Sequence, residues 1–372
     1  MKIFYLITKS EAGGAQTHVA QLCDYFGKQN NVVVMSGGQG WLKEKCDELK
    51  IKYIENKYFS NSPNPFRIWK AIHEIKKTAD EFQPDIVHCH SSSAAFLTRL
   101  AVRGKYKTIY TAHGWGFNLG MNHVVRFLVL LTEKFTAKYT DKYIAVSKFV
   151  KDLGVKNGLP EGKFEVVYNG INRGTGNPEK LRIGTSEEWG MLNSKINLIF
   201  VGRLAEPKRS EMIIDVISNF DEKTKNKVRF TIVGSGEKKE YLRNLAKEKN
   251  VEVVFTGNLE HSEVMKELAK NDIFVFISAW EGFPYTILEA MSVGLPVIAS
   301  DVGGISEIVD NTVGRLVKNE TSQISSALLE LIDGRELREK LGDNGRRLVG
   351  SKFSLGKMLE GTEKVYIEIL KN

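Results

Sequence analysis

The sequence predicts an α/β protein with two doubly wound domains, each built on a parallel sheet. Two observations indicate this class. Short runs rich in β-branched and aromatic residues alternate with segments of helical periodicity along the whole chain. The alternation is interrupted at residues 172–178, a polar, glycine-containing segment typical of a linker. With 372 residues, the chain is long enough for two domains that each have their own core.

Strands are predicted on both sides of this segment. In the first half they lie at 3–8, 32–36, 51–55, 86–90, 108–113, 143–147 and 164–168, and in the second at 198–202, 228–234, 251–256, 273–277, 296–300 and 314–317. The first run is interpreted as a buried strand and not as a signal peptide, because Lys9, Glu11 and the pair Gly13-Gly14 interrupt it too early. Near the end, helical periodicity is carried by Leu359, Thr362, Val365, Tyr366, Ile369 and Leu370.

Composition excludes several classes of protein. The chain is 42% hydrophobic and 26% charged, as in soluble globular proteins. Its cysteines, Cys23, Cys46 and Cys89, have neither metal-ligand nor redox spacing and are expected to be reduced thiols of a cytosolic protein. No apolar run approaches the roughly 20 residues that span a bilayer. The net charge of +8 suits nucleic acid, lipid head groups or nucleotide substrates, and charge alone does not choose among them.

Two carboxylates flank a predicted helix start in the second half. The apolar run 273–277 is followed by a helix expected to begin near Pro284, since the missing N–H of a proline goes unused in a first helical turn. Glu281 precedes the helix, and Glu289 lies about two turns further on. Because free N–H groups at a helix start bind phosphate, the two acids are interpreted as acceptors for hydroxyl groups beside it. A nucleotide sugar has this layout, although a Glu-x7-Glu spacing alone occurs by chance in many chains.

A longer motif surrounds these acids. Residues 281–291, Glu-Gly-Phe-Pro-Tyr-Thr-Ile-Leu-Glu-Ala-Met, are followed by Gly-Leu-Pro-Val-Ile-Ala at 294–299 and by Gly303-Gly304. This segment resembles the donor-binding signature of the retaining GT-B glycosyltransferases of family 4. The resemblance implies two Rossmann-like domains facing across a cleft. It implies an acceptor-binding domain at 1–172, joined by a C-terminal helix at 353–372, and a nucleotide-sugar-binding domain at 173–352.

Two cations follow the strand predicted at 198–202. At a strand's carboxyl end, Arg203 and Lys208 can neutralise a diphosphate and the charge that develops on it as the glycosidic bond breaks. Basic residues in a loop are usually only solvated, but this spacing resembles the diphosphate clamp of the family. Arg209 departs from the family, which commonly has glycine after the lysine.

Three histidines follow or end strands in the first half. The resemblance implies that His113 binds the transferred sugar and supports an oxocarbenium-like transition state; a structural histidine is the alternative. His88 and His90 straddle Cys89, and alternation along a strand puts the two histidines on one face and the cysteine on the other. This placement disfavours a metal site, and His90 is expected to line the acceptor cleft. His18 is interpreted as structural.

The resemblance also assigns roles to the remaining positions. It implies that His113, Glu281, Arg203 and Lys208 are catalytic, with Glu281 on the sugar hydroxyls and Glu289 on the ribose. Gly13-Gly14 alone indicates only a sharp turn, since the dinucleotide fingerprint is absent. The further donor-binding positions implied are Gly13, Gly14, Gly234, Gly257, Gly282, Phe283, Pro284, Tyr285 and Thr286. No Asp-x-Asp motif precedes a nucleotide loop, so neither a metal nor a cofactor is expected.

The segment 123–139 is both apolar and basic. It contains the apolar residues Phe127, Leu128 and Leu131, and the cations Arg126, Lys134 and Lys138 lie near them in sequence. Ordinary core is one interpretation. Contact with an anionic membrane surface, where a lipid-pyrophosphate acceptor would lie, is the other.

Together these features predict a retaining glycosyltransferase. It would move a sugar from a nucleoside diphosphate sugar, expected to be a UDP-sugar, to a saccharide acceptor linked to polyprenyl pyrophosphate. The setting implied is capsule, exopolysaccharide or lipopolysaccharide synthesis, in the cytoplasm or on the inner face of the membrane. The alternatives are a UDP-sugar 2-epimerase, a glycan phosphorylase and a nucleic-acid-binding protein, the last lacking an aromatic-rich basic motif.

Overall fold

The computed structural model describes residues 1–59, 64–117, 122–172 and 195–371. They form two compact units: the first unit is Met1–Asn169 with Lys357–Asn372, and the second unit is Gly170–Gly356. The expected boundaries were 172/173 and 352/353. The chain leaves the first unit earlier than expected and returns to it later, because the Ile171 N–H donates to Phe353 C=O (3.1 Å) and the Leu355 N–H donates to Ile171 C=O (2.9 Å). Residues 173–178 of the expected linker lie outside the described part.

The first unit contains a parallel sheet of seven described strands in the order β3-β2-β1-β4-β5-β6-β7. Both faces of this sheet are covered by helices, which is why β1 buries five consecutive residues where a half-exposed strand would alternate. The strands are β1 (Lys2–Ile7), β2 (Asn31–Ser36), β3 (Lys52–Glu55), β4 (Ile86–Cys89), β5 (Lys107–Ala112), β6 (Lys142–Ala145) and β7 (Phe164–Val166).

The helices of the first unit connect these strands. Helix α3 starts after Asn64, whose side-chain oxygen accepts from the N–H groups of Phe66 and Arg67, and it has Pro65 in its first turn. The helices are α1 (Gly14–Phe26), α2 (Trp41–Glu48), α3 (Pro65–Phe82), α4 (Ser92–Val102), α5 (His123–Thr136) and α6 (Lys148–Lys156).

The second unit repeats this architecture with six described strands in the order β10-β9-β8-β11-β12-β13, all parallel. The strands are β8 (Ile196–Val201), β9 (Val228–Val233), β10 (Val253–Gly257), β11 (Ile273–Phe276), β12 (Val297–Ser300) and β13 (Gly314–Val317). The helices are α7 (Glu211–Ser218), α8 (Glu222–Asn226), α9 (Lys239–Glu248), α10 (His261–Ala269), α11 (Tyr285–Ser292), α12 (Thr321–Asp333) and α13 (Arg335–Lys352).

The last helix, α14 (Leu355–Lys371), packs almost entirely on the first unit. Of the residues that carry its predicted helical periodicity, Leu370 is 40% exposed. In that turn the adjacent Ile369, which lies about 100° away around the helix, is the buried residue. The other residues that carry the periodicity, Leu359, Thr362, Val365 and Tyr366, are buried.

The order of strands reverses between β1 and β4 in the first sheet and between β8 and β11 in the second. At such a reversal the loops after neighbouring strands lead away in opposite directions, which leaves a crevice at the carboxyl edge of the sheet. Gly13 and His90 follow the first pair of strands, and Arg203, Lys208 and Glu281 follow the second pair. No helix of the described ranges has the length and hydropathy needed to cross a bilayer.

Candidate active site

In the second unit, the loops after β8 and β11 are joined by backbone hydrogen bonds. The Arg209 N–H donates to Ile277 C=O (2.9 Å), and the Ala279 N–H donates to Pro207 C=O (2.8 Å). Lys208 and Ser278 pair between them as an antiparallel bridge. Arg209, the departure from the family pattern, takes part in this junction through its backbone N–H. The expected diphosphate loop and the expected carboxylate loop lie side by side at the strand reversal.

The carboxylate of Glu281 lies within this junction and is almost buried. Its Oε1 accepts hydrogen bonds from Lys208 Nζ and from Ser278 Oγ, the latter at 2.6 Å. The Lys208 ammonium also lies 4.6 Å from the centroid of the Phe276 ring. Within the described residues, the hydrogen bonds to this carboxylate reach Oε1. Sequence analysis placed Lys208 and Glu281 in one site, and the structure brings them into contact.

Arg203 is in the same loop as Lys208 but does not meet Glu281. Its side chain is exposed, and Nη2 donates to Glu206 C=O at 3.3 Å. Lys238, which sequence analysis did not single out, braces this loop. Its Nζ donates to Glu206 Oε1 (2.6 Å), Glu211 Oε1 (3.1 Å) and Lys208 C=O (3.3 Å). No local pattern marks Lys238, because its partners lie 27 to 32 residues away in sequence.

The glycines of the neighbouring loops have steric roles. A Cβ on Gly234 (φ +131) would lie 2.1 Å from Gly202 C=O, so the loops after β8 and β9 approach too closely for any other residue. The Gly234 N–H in turn donates to Gly257 C=O (2.8 Å). Gly257 has φ +76, a left-handed conformation that favours glycine. These positions were expected at the nucleotide, and they line the same edge of the sheet.

Helix α11 begins at Tyr285, with Pro284 as its N-cap and no side chain capping it. The side chains of Phe283 and Tyr285 are buried, and Phe283 packs edge-on against Phe353 with ring centroids 5.3 Å apart. These two residues belong to the expected donor-binding stretch 282–286, and their side chains expose little surface to a ligand. Thr286 is half-buried in the first turn.

Glu289 is in the second turn of α11 and is 7% exposed. Its Oε1 lies 3.1 Å from Nε2 of His261, the first residue of α10. Burial raises the pKa of Tyr285 well above its usual range, and the charge of Glu289 raises it further. His261 was missed by sequence analysis, since it meets Glu289 only through the packing of α10 on α11.

In the first unit, four histidines meet at the carboxyl edge of the sheet: His18 from α1, His88 from β4, and His90 and His113 just after β4 and β5. The ring centroids of His88 and His90 are 4.1 Å apart, those of His18 and His113 are 4.9 Å apart, and His90 Nδ1 lies 3.4 Å from His113 Nε2. His88 and His90 thus share a face. Sequence analysis expected His113 and His90 at a site but did not foresee this cluster of four.

Burial keeps this histidine cluster neutral. It lowers the pKa of His18 to about 4, and it lowers the pKa of His88, His90 and His113 well below the usual range, with neighbouring histidines adding to the effect in these three. His113 alone is partly exposed. A neutral imidazole at this edge can donate or accept a hydrogen bond to a sugar hydroxyl. In the part of the chain that the structure describes, no three His, Cys, Asp or Glu side chains are placed to hold a metal ion.

The cluster is anchored by the last helix. Tyr366 OH lies 2.7 Å from His88 Nδ1 and 3.1 Å from Tyr5 OH, and His88 Nε2 lies 2.7 Å from Thr111 Oγ1. Gly13 and Gly14 form the start of α1 above β1, and Gly13 is extended at φ 175. The conformation of Gly13 is one that any residue adopts.

Comparison with known proteins gives the family. Residues 185–348 match the model described as Glycosyl transferases group 1, and residues 12–174 match that of Glycosyltransferase Family 4. The O-antigen biosynthesis glycosyltransferase WbnH of Escherichia coli is 30% identical, over 89% of this chain and 90% of WbnH. UDP-Gal:alpha-D-GlcNAc-diphosphoundecaprenol alpha-1,3-galactosyltransferase, also of E. coli, is 28% identical, over 82% of this chain and 80% of that enzyme.

A solved structure shows the same fold. HepE of Anabaena, in complex with UDP and glucose, superposes with a TM-score of 0.84 at 19% identity, over 99% of this chain and all of that one. The two parallel-sheet units are thus those of the GT-B fold. The chain belongs to the group 1 glycosyltransferases and is a hexosyltransferase-type enzyme of the kind that acts in bacterial surface-polysaccharide synthesis.

Proposed function

We propose that this enzyme transfers a sugar from a UDP-sugar to a lipid-linked saccharide with retention of configuration. The second unit would bind the donor and the first unit the acceptor. The observation that carries the proposal is the contact of Glu281 with Lys208 and Ser278 at the strand reversal of the second unit. The names of two similar proteins support the substrates: one galactosyltransferase uses UDP-Gal and a diphosphoundecaprenol-linked GlcNAc, and HepE binds UDP.

The roles follow from the charges. Lys208 and Arg203, with the positive end of the α11 helix dipole, would neutralise the diphosphate and the charge that develops on it. Glu281, oriented through Oε1 by Ser278, would accept from sugar hydroxyls with Oε2. Glu289 would accept from the ribose hydroxyls. His113, being neutral, would not repel the positive charge that grows on the sugar ring.

Retention is explained by a front-face reaction. The bond between the anomeric carbon and the phosphate oxygen breaks, and the acceptor oxygen bonds to the same face of that carbon. The proton of the acceptor hydroxyl moves to the departing phosphate oxygen. A covalent route would need a carboxylate on the far face of the sugar, and Glu281 is assigned instead to peripheral hydroxyls.

A screen of UDP- and GDP-sugars for slow donor hydrolysis tests this proposal without an acceptor. We expect one UDP-sugar to be hydrolysed, and UDP to bind in calorimetry. Hydrolysis of GDP-sugars alone would overturn the choice of nucleotide. Interconversion of the donor with its epimer, with no transfer to any acceptor, would favour the 2-epimerase alternative.

Helix α5 supports an acceptor held at the membrane. Its buried residues are Glu133 and Thr136, so its polar side faces inward. A stripe of large apolar side chains faces outward instead. These side chains are exposed by 44 to 66%: Val124, Val125, Phe127, Leu128, Leu131 and Phe135. The interpretation of this segment as ordinary core is therefore wrong.

A buried ion pair fixes the orientation of α5. Arg99 Nη2 of α4 donates to Glu133 Oε2 at 2.8 Å, with the two side chains 0% and 2% exposed. Since the inward side is held in this way, the apolar stripe must face out, beside Lys134 and Lys138. Apolar residues flanked by cations suit an anionic bilayer surface. We place the enzyme on the cytoplasmic face of the cell membrane, where capsule, exopolysaccharide or lipopolysaccharide precursors would be extended.

Vesicle sedimentation tests this placement. The protein should sediment with anionic vesicles at low salt and be released at high salt. Lys134→Glu with Lys138→Glu should weaken sedimentation by about 1 kcal/mol per cation without changing UDP binding. The matched control is Lys223→Glu with Lys227→Glu, which has the same spacing on an exposed part of the second unit. Equal recovery with neutral and anionic vesicles, or none with either, would instead favour a soluble acceptor.

A further inference from the structure

Asn319, which follows β13, is hydrogen-bonded to the ends of two other strands. Its Nδ2 donates to Ser278 C=O at 2.9 Å, and its Oδ1 accepts from Ser300 Oγ at 2.6 Å. Ser300 Oγ in turn accepts from the Ser278 N–H at 2.9 Å. One side-chain amide and one hydroxyl therefore engage both backbone polar groups of Ser278. Ser278 and Ser300 are fully buried, so no water replaces these bonds.

Ser278, held in this way, also contacts two residues of the candidate active site. Its hydroxyl is 2.6 Å from Glu281 Oε1, shorter than its distances to Trp280 C=O (3.2 Å) and Pro207 C=O (3.3 Å). A hydroxyl has one proton to donate. The Glu281 carboxylate oxygen is both the nearest of the three oxygens and the strongest acceptor, so it receives that proton in a hydrogen bond. Ser278 also pairs with Lys208 through the backbone. The placement of both Glu281 and Lys208 thus depends on Ser278.

We propose that Asn319 is a positioning residue for the reaction: with Ser300 it clamps the backbone of Ser278, and Ser278 thereby sets the orientation of the Glu281 carboxylate toward the transferred sugar. This inference rests on the proposed donor-binding role of Glu281. Asn319 has an interaction with Ser278 and none with Glu281 itself, so its effect on turnover passes through Ser278. The clamp joins the ends of β11, β12 and β13, which ties the Glu281 loop to the sheet.

A double-mutant cycle separates positioning from general stability. The measurement is donor hydrolysis in four proteins: wild type, Asn319→Ala, Glu281→Gln and the double variant. Asn319→Ala should lower kcat by roughly 10- to 100-fold, the scale expected when a reacting group is misplaced, with UDP affinity changed by less than about 2-fold. In the Glu281→Gln background the same substitution should cost less than about 2-fold, because there is no carboxylate left to orient.

Two further variants keep the test informative. Ser300→Ala removes one hydroxyl of the clamp and should show the same dependence on Glu281 if Asn319→Ala fails to fold. Asn311→Ala, on an exposed turn before β13, is the matched control and should leave kcat unchanged. Equal losses in the two backgrounds, or undiminished turnover of Asn319→Ala, would overturn the clamp. No effect of Glu281→Gln itself would instead remove the proposed role of that carboxylate.

Discussion

The two units place their candidate residues at the carboxyl edge of the same type of parallel sheet, but the residues differ in charge: those of the first unit are neutral and those of the second are charged. At its strand reversal, the first unit carries four histidines whose pKa values are lowered by burial, so they are neutral near pH 7. At its own reversal, the second unit carries a contact between an ammonium and a carboxylate. The neutral groups suit sugar hydroxyls, and the charged groups suit a diphosphate and its neighbours. Under the proposed function, one scaffold would thus serve two kinds of ligand chemistry through the residues that end its strands.

The largest effect we expect concerns the buried ion pair of the first unit. Glu133→Ala would leave the fully buried Arg99 guanidinium without its partner and should lower the free energy of unfolding by about 3 to 5 kcal/mol. Glu330→Ala breaks the Arg315 pair of the second unit, whose carboxylate is 44% exposed, and should cost less than about 1 kcal/mol. Urea unfolding measures both. Equal losses would contradict the contrast between the units.

Acid should act mainly on the first unit. The pKa of His18 is about 4 when folded and near 6.5 when unfolded, so the unfolded chain binds the proton more tightly. His18 should therefore cost about 3 kcal/mol of stability as pH falls from about 6.5 to about 4. His18→Asn should flatten the dependence of the unfolding free energy on pH over this range. His123→Gln, at an exposed histidine, should keep the wild-type slope, and an equal slope in all three proteins would refute the assignment.

In the second unit the expected effect is on turnover. Lys208→Ala should lower kcat by roughly 10²-fold or more, as for other groups that stabilise developing negative charge. Lys340→Ala, at an exposed lysine on α13, is the control and should leave kcat unchanged. Activity should also survive excess chelator. Loss of activity with chelator, restored by Mg²⁺ or Mn²⁺, would show that a metal and not Lys208 carries this charge.

The smallest effect concerns His261, which contacts Glu289 from a mostly exposed position. His261→Ala removes one hydrogen bond to the carboxylate expected to hold the ribose, and should weaken UDP binding by about 0.5 to 1.5 kcal/mol. Calorimetry measures this change. Since the partner is Glu289, His261→Ala should not weaken UDP binding further in a Glu289→Ala background. Additive losses of UDP affinity would show that the two residues act independently.

Local patterns predicted the strands well because each β-rich run is short, apolar and bounded by turns. The predicted 228–234, 273–277 and 314–317 correspond to β9, β11 and β13. Contacts between distant segments were not predictable. Lys238, His261 and Asn319 reach their partners across 19 to 41 residues, and no spacing in one sequence marks such a pair. The resemblance to a family supplied Arg203, Lys208, Glu281 and Glu289 as a set, which periodicity alone would not have done.

Helix α5 shows a different limit. Its apolar stripe has helical periodicity, and periodicity predicts which residues share a face but not where that face points. The direction is decided by Glu133, whose partner Arg99 lies 34 residues earlier on α4. A polar residue on an apolar helix was therefore the informative position, and it was overlooked.

The central claim is that Glu281 and Glu289 serve different parts of one nucleotide sugar. The most direct test measures UDP affinity by calorimetry and donor hydrolysis by product release in Glu281→Gln and Glu289→Ala. Glu281→Gln should lower hydrolysis and leave UDP affinity nearly unchanged, whereas Glu289→Ala should weaken UDP binding by about 1 to 3 kcal/mol. Unchanged hydrolysis and unchanged UDP affinity in both variants would contradict the account.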